Sequence, residues 1–276
     1  MQILMSLLPA AYAILLWWLA TGIILLLDGL PPHTFRWSLS GCAVLAGAGL
    51  WGIAASSDGS GVAAAYCSFT GALLVWALIE MSFLMGVVTG ASRRACPDGA
   101  RGWRRLKFAL SAISHHEVAI IAGAGLVALA SLRGDNDVGL WTFLALWCMR
   151  QSAKVNLFLG VRNTGEQFLP PRIEYMKSFF RKRPMNALFP ISISVLTAGS
   201  AFLIEAAHAA PSGSMHATAL TLIATLVVLG ALEHWFLMLP INTDALWRWG
   251  MATREPSSPR GVDPLRAVPA PTRYTS

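Results

Sequence analysis

His115, His116 and Glu117 lie at the start of an apolar run that continues to Leu132. The run is long enough to cross a bilayer, so three titratable side chains fall at membrane depth. A charge there costs about 2.5–3.5 kcal/mol on insertion scales and needs a partner or a task. Other apolar runs supply candidate partners: Glu80, Arg150, Lys154, Asn156, Glu233 and His234. Imidazoles bind metals or exchange protons, carboxylates orient imidazoles, and Arg or Lys meets carboxylate and carbonyl groups. His115 and His116 are adjacent, so on a helix they point about 100° apart and only one faces a given site. The sequence leaves open which.

The balance of charge narrows the chemistry. Glu80, Glu117 and Glu233 stand against Arg150 and Lys154, a set so nearly self-neutralising that it can exist as buried ion pairs with no ligand. Two fixed cations disfavour a naked divalent metal. They suit an anionic or Mg-bearing macrocycle better, with a neutral imidazole on the metal and the cations at its carboxylate or carbonyl groups. A metal-dependent oxidoreductase of tetrapyrrole or quinone chemistry is the alternative. Glu205 and His208 form an E-x-x-H pair, but di-iron bundles use two such pairs and the chain has one. The last apolar run carries no lysine for a retinal Schiff base, and no phosphate loop, Ser-His-Asp arrangement or H-E-x-x-H pair appears.

The elements that must position these groups are membrane helices. Of 276 residues 55% are hydrophobic and 13% charged, with mean hydropathy +0.56, against about 25% charged in soluble domains. Seven runs reach spanning length, at 3–27, 37–55, 62–89, 110–132, 138–159, 187–207 and 216–239, which predicts an all-α polytopic bundle over 1–250. The first run lacks a basic leader and is read as a retained span. Arginine and lysine concentrate in loops 90–109 and 160–186 and after 240, whereas 56–61, 133–137 and 208–215 hold only Arg133. That alternation places the amino terminus outside and the carboxy terminus in the cytoplasm. It also accounts for the net charge of +7 without nucleic acid.

With this orientation, rise per residue brings Glu80, His115, His116, Glu117, Arg150, Lys154, Asn156, Glu233 and His234 to similar height in the inner leaflet. Cys42, Cys67, Cys96 and Cys148 form no C-x-x-C pair and no disulfide framework. In loop 160–186, Arg172 to Arg181 is expected as a short amphipathic segment at lipid headgroups or a partner. Residues 251–276, rich in Pro and Arg, are expected to be a disordered cytoplasmic tail.

The run Arg150-Gln151-Ser152-Ala153-Lys154-Val155-Asn156-Leu157-Phe158-Leu159-Gly160 leads into Asn163, Gln167-Phe168-Leu169-Pro170 and Met185-Asn186-Ala187-Leu188-Phe189-Pro190. With His115-His116-Glu117, Leu232-Glu233-His234-Trp235-Phe236-Leu237 and Leu246-Trp247-Arg248-Trp249, it resembles the PuhE family, photosynthetic complex assembly proteins of purple phototrophic bacteria. The resemblance covers about residues 10–250. It implies a bacterial cytoplasmic-membrane factor linked to reaction-centre and light-harvesting assembly and to bacteriochlorophyll level. The implied partners are subunits of those complexes or enzymes of bacteriochlorophyll biosynthesis. It carries over no catalytic residues. On this reading His116 and His234 ligate or hydrogen-bond a bacteriochlorophyll or precursor, Glu117 and Glu233 orient them, and Arg150 and Lys154 meet its polar edge.

Overall fold

In a computed structural model, which describes residues 2–240 and 243–254, every apolar run forms an α-helix. They are α1 (Gln2–Asp28), α2 (Phe35–Ala55), α3 (Val62–Leu84), α4 (Gly102–Ser131), α5 (Val138–Leu159), α6 (Leu188–Ala209) and α7 (Met215–Phe236). Local chemistry sets their ends. Asp28-Gly29-Leu30-Pro31-Pro32 stops α1, because the second proline has no N–H to continue the helix. Ser214 caps α7 by accepting from the Ala217 amide at 3.1 Å, and Asn186 accepts from the first amides of α6, Leu188 and Phe189. Gly160 ends α5 at φ +128°, a backbone state that strains any residue with a Cβ.

Two boundaries differ from the hydropathy reading. α3 stops at Leu84, and residues after Gly86 run back along α4: Thr89 accepts from the His116 amide at 2.9 Å, and the Ala91 amide donates to Ser114 Oγ at 3.1 Å. Helix α4 starts eight residues before the apolar run does, because Trp103 to Lys107 are good helix formers that hydropathy discards.

Among the described residues six helices are long and apolar enough to cross a membrane; α5, diluted by Arg150, Gln151, Lys154 and Asn156, is not. Half of the apolar window is buried in α3 and α7, against 17% in α1 and α6, so the first two are central and the others peripheral. One core cluster joins α1, α3, α5 and α7 through Ala13, Ala65, Phe69, Met149, Leu222 and Leu226. A second joins α2 to α5 through Ala46, Ile53, Ala72, Ile79, Ile120 and Phe143. α2 and α3 pack closely where Gly49 meets Gly71: a Cβ on Gly49 would sit 2.8 Å from the Gly71 carbonyl oxygen.

The basic loops gather at one end of the bundle. There the Cys96 amide donates to Ser178 Oγ, Arg172 lies over the Phe35 ring, and Arg254 donates to the Gln167 and Phe168 carbonyls. At the opposite end Asn136 donates to the carbonyls of Ser56 and Ala64. The 3-10 segment Pro171–Phe179 lays Ile173 and Met176 on Phe83 of α3 and Ile113 of α4. Its apolar face is thus spent on the protein, where the sequence reading put it at headgroups or a partner. Residues 251–254, assigned to a disordered tail, form a turn on α1, with Arg254 paired to Asp28 at 2.9 Å; the tail from 255 lies outside the described residues.

Candidate functional site

The helices that share the first core cluster, α1, α3, α5 and α7, do not pack with equal closeness along their length. At the end opposite the basic loops, small residues such as Ala13, Ala65 and Ala219 let α1, α3 and α7 close on Phe69. Toward the basic end the helices part around a cavity of about 970 Å³, near the upper limit for small-molecule sites. One face of α7 lines it with Leu226, Gly230, Glu233 and Leu237, spaced as a helical stripe. Opposite stand Trp17 of α1, Trp76, Glu80 and Phe83 of α3, Ile113 of α4, and Arg150 and Lys154 of α5, with residues 162–169 as the floor.

The charged side chains make two ion pairs along the α5 wall. Arg150 Nη2 donates to Glu80 Oε2 at 2.6 Å. One turn on, Lys154 Nζ donates to Glu117 Oε1 at 2.6 Å, and Gln151 Nε2 donates to Glu117 Oε2 at 2.5 Å. Helix geometry produces this ladder: residues 150, 151 and 154 share a face of α5, so α3 supplies one carboxylate and α4 the other. Arg150 Nε and Glu80 Oε1 remain without hydrogen-bond partners among the described residues. Glu233 stands apart, with no cation at ion-pair distance among the described residues.

The histidines divide. His116 is fully buried and stacks on Phe83 with ring centroids 4.3 Å apart; His115, one position earlier, points outward. His116 Nε2 lies 3.7 Å from Glu80 Oε1, beyond hydrogen-bond reach, and neither ring nitrogen has a partner among the described residues. His234 is fully engaged. Its Nδ1 is 2.7 Å from the Gly230 carbonyl, which can only accept, so the neutral ring accepts at Nε2 from Ser152 Oγ at 2.9 Å. Ser152 Oγ in turn meets Ser192 Oγ, Asn156 Nδ2 donates to Ser192 Oγ, and Asn186 Nδ2 donates to Asn156 Oδ1, each at 3.0 Å. This uncharged chain ties α7, α5 and α6 together. Asn156 and His234 therefore belong to it, apart from the charged wall.

Neither His116 nor His234 is among the residues that line the cavity, so the expected axial imidazole is not presented to it. Among the described residues no three His, Cys, Asp or Glu side chains converge as metal ligands, and Glu205 and His208 are both exposed at the end of α6. The sequence reading also missed several positions. Gln151, Ser152 and Ser192 carry no charge and gave no signal in an apolar run. Arg105, counted there as a loop cation, is buried: it donates to the Phe158 and Phe179 carbonyls and lies 3.9 Å over the Phe158 ring. At the floor, a hydrogen bond from Thr164 and then the Lys182 ammonium hold the Glu166 carboxyl below its ordinary range, against slight burial.

The fold and the wall together define a polytopic membrane protein with an internal amphiphilic cavity. The chain belongs to the family described as Protein of unknown function (DUF3623), whose profile matches residues 3–258. It is 37% identical over 264 residues, 94% of this chain and 95% of the relative, to the "Uncharacterized 30.4 kDa protein in puhA 5'region" of Rhodobacter capsulatus. That description agrees with the resemblance to the PuhE family. No solved structure matches the chain.

Proposed function

We propose that this protein is a factor of the bacterial cytoplasmic membrane that serves assembly of reaction-centre and light-harvesting complexes, and that its cavity receives bacteriochlorophyll or a precursor. The relation to a protein encoded beside puhA supports the photosynthetic setting. The observation that carries the ligand reading is the cavity itself: about 970 Å³, lined mostly by apolar and aromatic side chains and carrying a ladder of charged groups along its α5 wall. An amphiphilic macrocycle likewise combines an apolar face with a polar edge. Trp17, Trp76 and Phe83 pack on its body, while Arg150, Glu80, Lys154 and Glu233 meet its edge. Glu117 holds Lys154 in place from behind. The chain crosses the membrane seven times, with α5 shielded from lipid by α3, α4 and α7, the amino terminus outside and the basic end in the cytoplasm. Reaction-centre or light-harvesting subunits, or enzymes of pigment synthesis, then dock at that end.

Protein purified from pigment-making cells tests the ligand reading. Its absorption spectrum is expected to carry near-stoichiometric bacteriochlorophyll or precursor bands, reduced at least severalfold in Arg150→Met. Colourless, well-folded protein would count against it. A deletion strain that still assembles full complexes would remove the assembly role.

A further inference from the structure

The cavity reaches past α5 to a gap between α5 and α4. Leu106, Ala109 and Ile113 line it from α4, and Lys154, Val155 and Phe158 from α5, each set at helical spacing. Away from the basic end, Ile120 and Val127 of α4 share a core cluster with Phe143 of α5. Two polar clasps frame the gap. On its deep side Lys154 and Gln151 donate to Glu117; at the basic end Arg105 donates to the Phe158 carbonyl at 3.0 Å and covers its ring. Between these clasps no hydrogen bond or ion pair joins α4 to α5 among the described residues. Leu110 and Val155 line the cavity here and also lie on the outer surface. Leu110 is 49% exposed and shares the exposed face of α4 with Val118 and Ile121. Val155 is 44% exposed and repeats the exposed positions of Trp141 and Cys148 at seven-residue spacing. Those are the faces that meet lipid, so the cavity opens sideways to the bilayer. Exposed Arg104 and Lys107, within two turns of Leu110, set the opening where acyl chains meet headgroups. The floor, by contrast, is pinned: the Asn163 side chain and amide donate to the Phe236 and Leu237 carbonyls, each at 2.9 Å, and Arg254 holds Gln167 and Phe168.

We infer that the gap between α4 and α5 is a side entrance, through which an amphiphile dissolved in the cytoplasmic leaflet enters the cavity and in which its alkyl chain stays. The inference rests on reading the cavity as a ligand site with the basic end in the cytoplasm; it adds where the ligand comes from and that it carries a chain. Leucine, alanine and valine walls suit such a chain. Moving into the gap from lipid, it exchanges one hydrocarbon surrounding for another and exposes no polar group. Lys154 lines the gap as well as the α5 wall, so a polar end entering here meets the charged ladder first. A ligand arriving from water would instead have to displace the pinned floor.

The test uses full-length protein in nanodiscs of phosphatidylcholine and phosphatidylglycerol, loaded with hexadecanol that carries a mid-chain diazirine. After irradiation, adducts are mapped by mass spectrometry. They are expected at Leu110 and Val155, and also at Phe83 and Leu226, which line the cavity but are buried from lipid. In Ala109→Trp, and in Val155→Trp at the outer rim, adducts at Phe83 and Leu226 are expected to fall about fivefold or more, because an indole fills the space a chain needs. Adducts at Val118 and Ile121, on the open lipid face, should stay as in the native protein. Unchanged interior adducts in both variants, each shown to be folded by its unfolding midpoint, overturn the entrance. So does native protein labelled only on its outer face. Pigment content of protein from pigment-making cells tests the tetrapyrrole reading separately: colourless protein with a labelled interior keeps the entrance and removes the tetrapyrrole.

Discussion

Glu117 is the carboxylate on which two α5 side chains depend, since Lys154 and Gln151 both donate to it. Glu117→Ala strands a mostly buried ammonium. Breaking such a pair from one side costs about 3–5 kcal/mol, and partial exposure of both partners lowers the expected loss to about 2–3 kcal/mol. Thermal unfolding in detergent measures it, and Glu117→Ala/Lys154→Met should recover most of it, because no charge is then left unpaired. His234 separates two roles that sequence alone confuses. As a hydrogen-bonded strut it should lower stability by about 1–3 kcal/mol on change to Ala, with the spectrum of any bound pigment unchanged. A shifted pigment band in His234→Ala would instead make it a ligand. The residue types announced that polar groups lay at membrane depth. They did not announce that Ser152 and Ser192 would complete the chain, because an apolar helix tolerates serine anywhere its hydroxyl can bond back to its own backbone.

Between helices, close approach and capping carry the structure. At Gly49 there is no room for a side chain against Gly71, so Gly49→Val should force α2 from α3 and cost about 1–3 kcal/mol, read as a lower unfolding midpoint. The floor segment has a pH signature. The folded-state Glu166 carboxyl titrates below its unfolded value, so its contribution is present above the ordinary carboxylate range and is lost as pH falls through the folded value. Proteolysis within 162–169 should therefore accelerate only as pH falls below the ordinary carboxylate range, and Glu166→Gln should abolish that acceleration. Helix positions were legible from hydropathy to within a few residues for α2, α5 and α6. The ends of α3 and α4 were not, since polar helix and apolar loop both violate the equation of hydropathy with helix.

For the whole molecule, the gathering of the basic loops at one end makes a single orientation prediction. With Cys96 as the sole cysteine, an impermeant maleimide should label inside-out vesicles and leave sealed right-side-out vesicles unlabelled. The reverse pattern would invert the proposed topology and place the cavity floor outside the cell. The C-terminal segment joins this end as well: Arg254 links Asp28 of α1 to the carbonyls of Gln167 and Phe168, and so ties α1 to the cavity floor.

Composition and the alternation of basic loops were enough to establish a polytopic helical membrane protein, because the bilayer demands long apolar helices whatever their neighbours. The cost of burying charge was likewise enough to nominate Glu80, His116, Glu117, Arg150 and Lys154 as a group. Which carboxylate serves which cation, and that His115 faces outward while His234 and Asn156 belong to a separate uncharged chain, depended on helix rotation. Rotation is set by packing between helices, where a shift of one residue turns a side chain by about 100°. The cavity is likewise invisible along the chain: small residues close α1, α3 and α7 at one end, and it opens where the helices part toward the other.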